Sequence, residues 1–244
     1  MKIISYKKLL GKFKLEMFGI KLTYTCCHKK LNSYISLGTN CFVRRIFTEY
    51  GLKPKKKQGE LSCPFDLCHM PVKSVAEILE NNFYDFTDNI TAYGDENTTL
   101  RWFNKKYSIG FNHDTTLTLN EFKERYQKRI ENFRNISHNA KFLTYAMAVY
   151  NRNFCPEDLN RIYNALLKLR NGQDFEFIVL SFVDNSSPEK SFNINNLNPS
   201  IKYNEYDVRN IKKFMSEWFH KNGVSDDILE KIDCDIKLNE KSCL

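Results

Sequence analysis

The chain has 244 residues, 42% hydrophobic and 14% aromatic, which is enough apolar material for one large core, and it carries a formal charge of +8 at pH 7. No run approaches the roughly 18 consecutive apolar residues of a membrane span. Lys2, Lys7, Lys8, Lys12 and Lys14 interrupt the start too often for a secretory signal. Together these features predict a globular protein of the cytoplasm. Its eight cysteines, at 26, 27, 41, 63, 68, 155, 234 and 243, are expected to be reduced, because the chain is neither small nor visibly exported.

The charge is unevenly placed. Residues 1 to 57 hold fourteen Lys or Arg against Glu16 and Glu49, a balance of +12 that leaves −4 for the rest. Residues 1 to 30 form a basic amphipathic segment of their own, with Leu9, Leu10, Phe13, Leu15, Met17, Phe18, Ile20 and Leu22 among the lysines. Such a segment either packs on the domain or contacts an anionic membrane surface. Residues 31 to 244 then read as one domain. With no RNA-binding aromatic signature, zinc-finger spacing or helix-turn-helix pattern, no nucleic-acid partner is expected.

From residue 33 strands and helices alternate. A strand over 33 to 37 runs through Gly38 into a helix with Asn40 as N-cap and Phe42, Val43, Ile46, Phe47 and Tyr50 as its apolar face, ended by Gly51. A basic loop, Lys53 to Lys57, leads to Cys63-Pro64-Phe65-Asp66, and a second helix opens at Pro71 and ends near Asn81. Two strands are predicted at 99 to 103 and 106 to 112. Thr118-Leu119-Asn120-Glu121 is a capping box for a long helix to about Ile136. Lys141 to Val149, Pro156 to Arg170 and Phe175 to Val183 form a βαβ unit, whose crossover makes its strands parallel. Asp207 and Ser225 are predicted N-caps of two final helices. The fold class is α/β, a three-layer sandwich with a mixed, partly parallel sheet.

Cys41 opens the first helix after a Gly turn. There the unpaired backbone N–H groups and the positive end of the helix dipole favour thiolate, and the turn leaves the sulfur reachable. A lone cysteine at a helix start is more often a small buried hydrophobe, so a nucleophile needs a base and a group that orients it. His113 is the chosen base among five histidines, because it ends a strand where its ring can project from the sheet edge. Asp66 and Asp114 are the candidates to orient it, and Asp66 is preferred, since neighbours on an extended strand point to opposite faces. The backbone N–H of Cys41 is the expected oxyanion donor, helped by Asn40 or Ser36. Cys26-Cys27-His28 and Cys63 with Cys68-His69 offer a competing zinc reading, but adjacent cysteines and a four-residue gap are not the usual knuckle. No metal or other cofactor is expected.

The blocks Ser36-Leu37-Gly38-Thr39-Asn40-Cys41, Cys63-Pro64-Phe65-Asp66, Asn82-Phe83-Tyr84-Asp85-Phe86 and Gly110-Phe111-Asn112-His113-Asp114 resemble, in order and in residues, a bacterial family of papain-like cysteine peptidases first described as domain of unknown function 1796. Phe122 to Phe133 with Arg125 and Arg129, and Lys141-Phe142-Leu143, are similar to its later blocks, so the resemblance covers about residues 33 to 185. It implies a thiol hydrolase, or an acyl or amide transferase, with a Cys-His site, and a papain-like α+β fold as the alternative architecture. The family usually has Trp where this chain has Leu67, and the Gln that precedes the nucleophile in papain-like enzymes is missing from 31 to 40. Separately, Leu15 to Leu22 is similar to leader segments of bacterial glycosyltransferases and other capsule and lipopolysaccharide enzymes. That similarity implies surface-polysaccharide biosynthesis at the inner-membrane face and an acyl, amide or glycan-linked substrate. The rival from another class is a non-catalytic scaffold at that membrane.

Overall fold

The computed structural model describes residues 4–9, 12–17, 20–25, 34–49, 52–53, 59–93, 101–183 and 194–207. Ten strands and four helices are found among them. β1 (Ile4–Leu9), β2 (Lys12–Met17) and β3 (Ile20–Thr25) form an antiparallel meander, with Leu15 opposite Leu22 and Phe13 opposite Tyr24. Alternation of apolar and charged residues in Lys-Phe-Lys-Leu-Glu-Met is the period of a strand, which accounts for β2.

The centre of the fold is a four-stranded, wholly parallel sheet of order β10-β9-β8-β4, built from β4 (Tyr34–Ser36), β8 (Thr144–Tyr150), β9 (Glu176–Val183) and β10 (Ile201–Asp207). Alternate residues face two apolar clusters. Ile35, Leu37, Tyr145, Met147, Val149, Phe177 and Val179 join the large core with α2 (Val72–Glu80) and α4 (Pro156–Leu169). Ala146, Ala148 and Phe182 pack on the other face against Phe42, Val43 and Phe47 of α1 (Phe42–Glu49). Helices on both faces make this the expected α/β sandwich. Parallel and antiparallel strands are segregated into separate sheets. The βαβ unit is β8-α4-β9, and Gly172, at φ +78, closes α4 by donating its N–H to the Leu167 carbonyl at 2.9 Å.

A separate antiparallel sheet holds β5 (Ile90–Tyr93), β6 (Arg101–Asn104) and β7 (Ile109–Phe111). Its aromatic residues meet α3 (Leu119–Asn139): the rings of Phe111 and Tyr126 are 4.8 Å apart and those of Phe122 and Tyr126 4.6 Å apart. The Thr118 capping box is present in full, and α3 runs one turn beyond the expected Ile136. Arg170 extends the packing, as its buried guanidinium donates to the Ser137 carbonyl at 2.6 Å and the Ala140 carbonyl at 3.0 Å, tying the ends of α4 and α3 together.

Several expectations are corrected. β5 was unforeseen; it is held as the outer partner of β6, while Asn104 bonds the Phe86 and Asp88 carbonyls at 3.1 and 3.0 Å at the sheet's entry. The strand expected from Lys141 begins only at Thr144, and Phe142 is 67% exposed. β10 was also unforeseen and ends at Asp207; the two helices expected from Asp207 and Ser225 lie outside the described residues, as do Tyr50 and Gly51. Among the described residues no helix is long and apolar enough to cross a membrane.

Candidate thiol site

Cys41 lies in the turn from β4 to α1, at the carboxyl end of the parallel sheet, where open α/β sheets place their ligands. The turn is tight. Gly38 has φ +72 and Thr39 φ +59, a region that costs a β-branched residue roughly 1–2 kcal/mol. Three bonds hold Thr39 and Asn40 in place: the Thr39 hydroxyl to the Ala148 carbonyl, the Thr39 carbonyl from the Met70 N–H at 3.3 Å, and the Asn40 Oδ1 from the Phe42 N–H at 2.8 Å. Asn40 thus satisfies the Phe42 N–H at the helix start, but α1 begins at Phe42, so Cys41 stands one residue before the helix and not at its first residue as expected. Its side chain also bonds the hydroxyl of Tyr150, at the end of β8. Cys41 is half-buried, unlike Cys63 and Cys68.

The segment 68–70 joins this turn to the second sheet. His69 and Gly110 exchange two backbone hydrogen bonds of 3.0 Å, and an isolated antiparallel bridge forms there. The His69 ring occupies the space that a Gly110 Cβ would need, so any side chain at 110 would have to displace that ring. Beyond β7 the chain reaches Asn112, which accepts the Tyr93 hydroxyl at 2.9 Å, and then the exposed His113. Although His113 is exposed at the surface, partial desolvation of its ring by the surrounding protein, then the Arg45 guanidinium, and also Arg129, hold it below the ordinary histidine value against the opposing pull of Asp114. Arg45 is one helical turn beyond Cys41, whose carbonyl accepts its N–H at 3.1 Å.

The remaining candidates are placed as follows. Asp66 is 1% exposed, and its Oδ2 accepts from Lys53 Nζ and the Cys63 N–H, both at 2.7 Å, with Arg44 at 3.8 Å; its partners are these, and not the His113 ring. Asp114 accepts from Arg125 at 2.6 Å, Tyr126 at 2.8 Å and Arg129 at 3.3 Å. Burial alone would raise its carboxyl, but Arg129, the Tyr126 hydroxyl and Arg125 together hold it below the usual range. It anchors the His113 loop to α3. Ser36 is wholly buried in β4, and its hydroxyl has no partner among the described residues, so Asn40 and the backbone are the exposed part of the expected oxyanion set.

Burial pushes the Cys63 thiol up to about 12 and the Cys68 thiol higher still, outweighing Lys53 at the first and Arg129 at the second. Among the described residues no group of three His, Cys, Asp or Glu is placed to hold a metal ion, and Cys26, Cys27 and His28 lie outside them. Sequence reasoning missed Arg45 and Tyr150, and it named Arg129 and His69 without the contacts they make here. Arg125 and Arg129, four apart on a capped helix eleven residues after Asp114, were the legible signal for the first shared carboxylate; Tyr150 was not legible, because only sheet pairing carries it to the turn.

A family model described as a putative papain-like cysteine peptidase, DUF1796, matches residues 32–185. The chain belongs to this family. The match takes in β4, the Cys41 turn, the 63–70 segment, the His113 loop, α3 and the βαβ unit, so the peptidase-family domain contains the whole arrangement described above. No curated protein and no solved structure matches the chain.

Proposed function

We propose that the protein is a thiol-dependent hydrolase, or an acyl or amide transferase, with Cys41 as nucleophile and His113 as base. The observation that supports this most is the conformation of the β4–α1 turn. A β-branched residue held at positive φ, a capping Asn and a half-buried Cys at a helix start form the strand-to-helix elbow that presents a nucleophile. In this reading neutral His113 takes the thiol proton as the sulfur attacks a carbonyl carbon. The C–S bond forms, the leaving group departs with that proton, and water or an acceptor group then cleaves the thioester. The Cys41 N–H and the adjoining helix start stabilise the oxyanion.

The test is iodoacetamide labelling of the full chain at pH 6, read by peptide mass spectrometry, followed by turnover of a panel of thioester, ester and amide substrates. Cys41 is expected to be labelled first and to form an acyl adduct that Cys41→Ser and His113→Ala lose. Uniform labelling of the thiols, with no adduct, would return the protein to the scaffold reading.

A further inference from the structure

The β4–α1 turn is docked along the carboxyl end of β8. The Leu37 N–H donates to the Ala146 carbonyl at 2.9 Å and the Thr39 hydroxyl to the Ala148 carbonyl, so the chain leaving β4 follows β8 towards its last residue, Tyr150. Ala146, Ala148 and Tyr150 alternate onto the face where α1 packs, while α4 leaves β8 for the opposite face, and the two turns part in a crevice at the sheet's end. On the α1 face the Tyr150 and Phe182 rings stack 5.9 Å apart, and Phe182 meets Phe42 edge-on at 5.3 Å. Phe42 is the residue after Cys41. Packing thus fixes the Tyr150 ring beside the thiol turn, and its hydroxyl reaches the Asn40 side chain.

An Asn amide has one acceptor oxygen and two N–H donors. The Phe42 N–H takes the Asn40 oxygen at 2.8 Å, which turns the nitrogen away from the helix. One N–H then goes to the Tyr150 oxygen, and the other has no acceptor among the described residues. The turn after Tyr150 is strained: Asn151 has φ +49 and Arg152 φ +51, and such residues persist only where their surroundings impose them. Here Arg152 forks onto Glu205 with two bonds of 2.8 Å, the Tyr203 hydroxyl holds the same carboxylate at 2.7 Å, and the Asn151 N–H donates to the Phe182 carbonyl at 2.8 Å. β9 and β10 thereby fix the turn that carries Tyr150. Burial, against the opposing Asn40 bond, holds the Tyr150 hydroxyl above its ordinary value, so it stays neutral and is no rival to His113 as base.

The geometry points to Tyr150 as a positioning residue of the thiol site: it holds the Asn40 amide so that the remaining N–H joins the Cys41 N–H as an oxyanion donor. This rests on Cys41 being the nucleophile. A side-chain amide free to turn would have to be ordered as the oxyanion forms; Tyr150 removes that freedom beforehand, so the donor is in place when the carbonyl is attacked.

The experiment sets acylation of Cys41 by para-nitrophenyl acetate against its alkylation by iodoacetamide in the full chain, both read at Cys41 by peptide mass spectrometry. Acylation forms the S–C bond through an oxyanion and expels nitrophenolate; alkylation expels iodide and develops no oxyanion. Tyr150→Phe keeps the ring and its stacking on Phe182. It is expected to slow acylation about tenfold, part of the roughly 10²–10³ that a lost oxyanion donor costs, while the alkylation rate stays within about twofold and keeps its pH inflection. Asn40→Ser retains a helix cap without the amide N–H and should slow acylation further; adding Tyr150→Phe to it should cost nothing more, because Tyr150 acts through Asn40. Acylation unchanged in Tyr150→Phe, or a full additional loss in the double variant, would overturn the positioning role. Equal slowing of both reactions would overturn it too, since Tyr150 would then support the sulfur itself. NMR of the wild-type Asn40 amide reads the bond without any substitution: one slowly and one rapidly exchanging proton are expected, and two rapid ones would overturn the bond to Tyr150. A wild type alkylated at Cys41 but never acylated there would defeat the acyl-transfer reading, and the oxyanion role with it, even with the slow proton present.

Discussion

The Lys53 ammonium lies 2.7 Å from the Asp66 carboxylate, with both side chains 1% exposed. Burial by itself would lower the Lys53 pKa, but Asp66, by charge and hydrogen bond, and Cys63 outweigh it, so the group ends above its ordinary value. A raised folded pKa contributes stability that is full below the unfolded value and is lost as pH climbs through the folded one, so the pair matters at neutral pH and fails only in strong alkali. Asp66→Asn strands a buried cation and is expected to cost about 3–5 kcal/mol in urea unfolding, whereas Lys53→Met with Asp66→Leu should recover most of it. A single variant as stable as wild type would mean that water reaches the pair.

Asp114→Asn tests the anchor of the His113 loop. The folded carboxyl lies below its ordinary value, so its contribution is present above the unfolded pKa and is lost as pH falls through the folded one. The variant is expected to be about 3 kcal/mol less stable at pH 7, with the gap closing below about pH 4. A gap that stays constant down to pH 2 would show that the carboxylate's charge is not what holds Arg125 and Arg129.

The lowered His113 pKa makes the imidazole neutral at pH 7, as a base must be. Alkylation of Cys41 is expected to rise through an inflection below the ordinary histidine value of 6.5. His113→Gln should lose that inflection and react at least ~tenfold more slowly at pH 7. A profile with its first inflection above pH 7 in wild type would contradict the assignment of the base.

Cys63 and Cys68 are expected to resist alkylation in the native protein, since burial lifts both thiols far above neutral pH. Their labelling should follow global unfolding in a denaturant series, while Cys41 and Cys155 react in buffer. Labelling of Cys63 in buffer, at the rate of Cys155, would mean that the 59–66 segment opens locally.

Gly38→Ala addresses the elbow. At φ +72 an L side chain is strained, and the added Cβ would also sit 3.4 Å from the Phe65 ring. A loss of about 1–2 kcal/mol is expected in thermal unfolding. Slower labelling of Cys41 should accompany it, because the turn that presents the sulfur must shift. Unchanged stability and labelling would mean that the elbow is not under constraint.

Local chemistry made much of this protein legible in its sequence. The Thr118 capping box, Pro71 and Pro156 at helix starts, Asn171-Gly172 after α4 and the apolar runs of β8 and β9 each act within a few residues, and a crossover between two buried strands leaves one handedness and a parallel pairing. The Cys41 elbow was legible for the same reason, since a strand, Gly38, a capping Asn40 and an apolar helix face are consecutive. Tertiary structure alone decided what reaches the elbow. Which carboxylates Lys53, Arg125 and Arg129 take up is settled by competition among buried charges, each of which must find a partner wherever the chain has folded. Asp66 thus went to Lys53, and Asp114 went to α3, where Arg125, Tyr126 and Arg129 share it; sequence spacing could not specify those pairings, because they join residues that only the packing of the folded chain brings together.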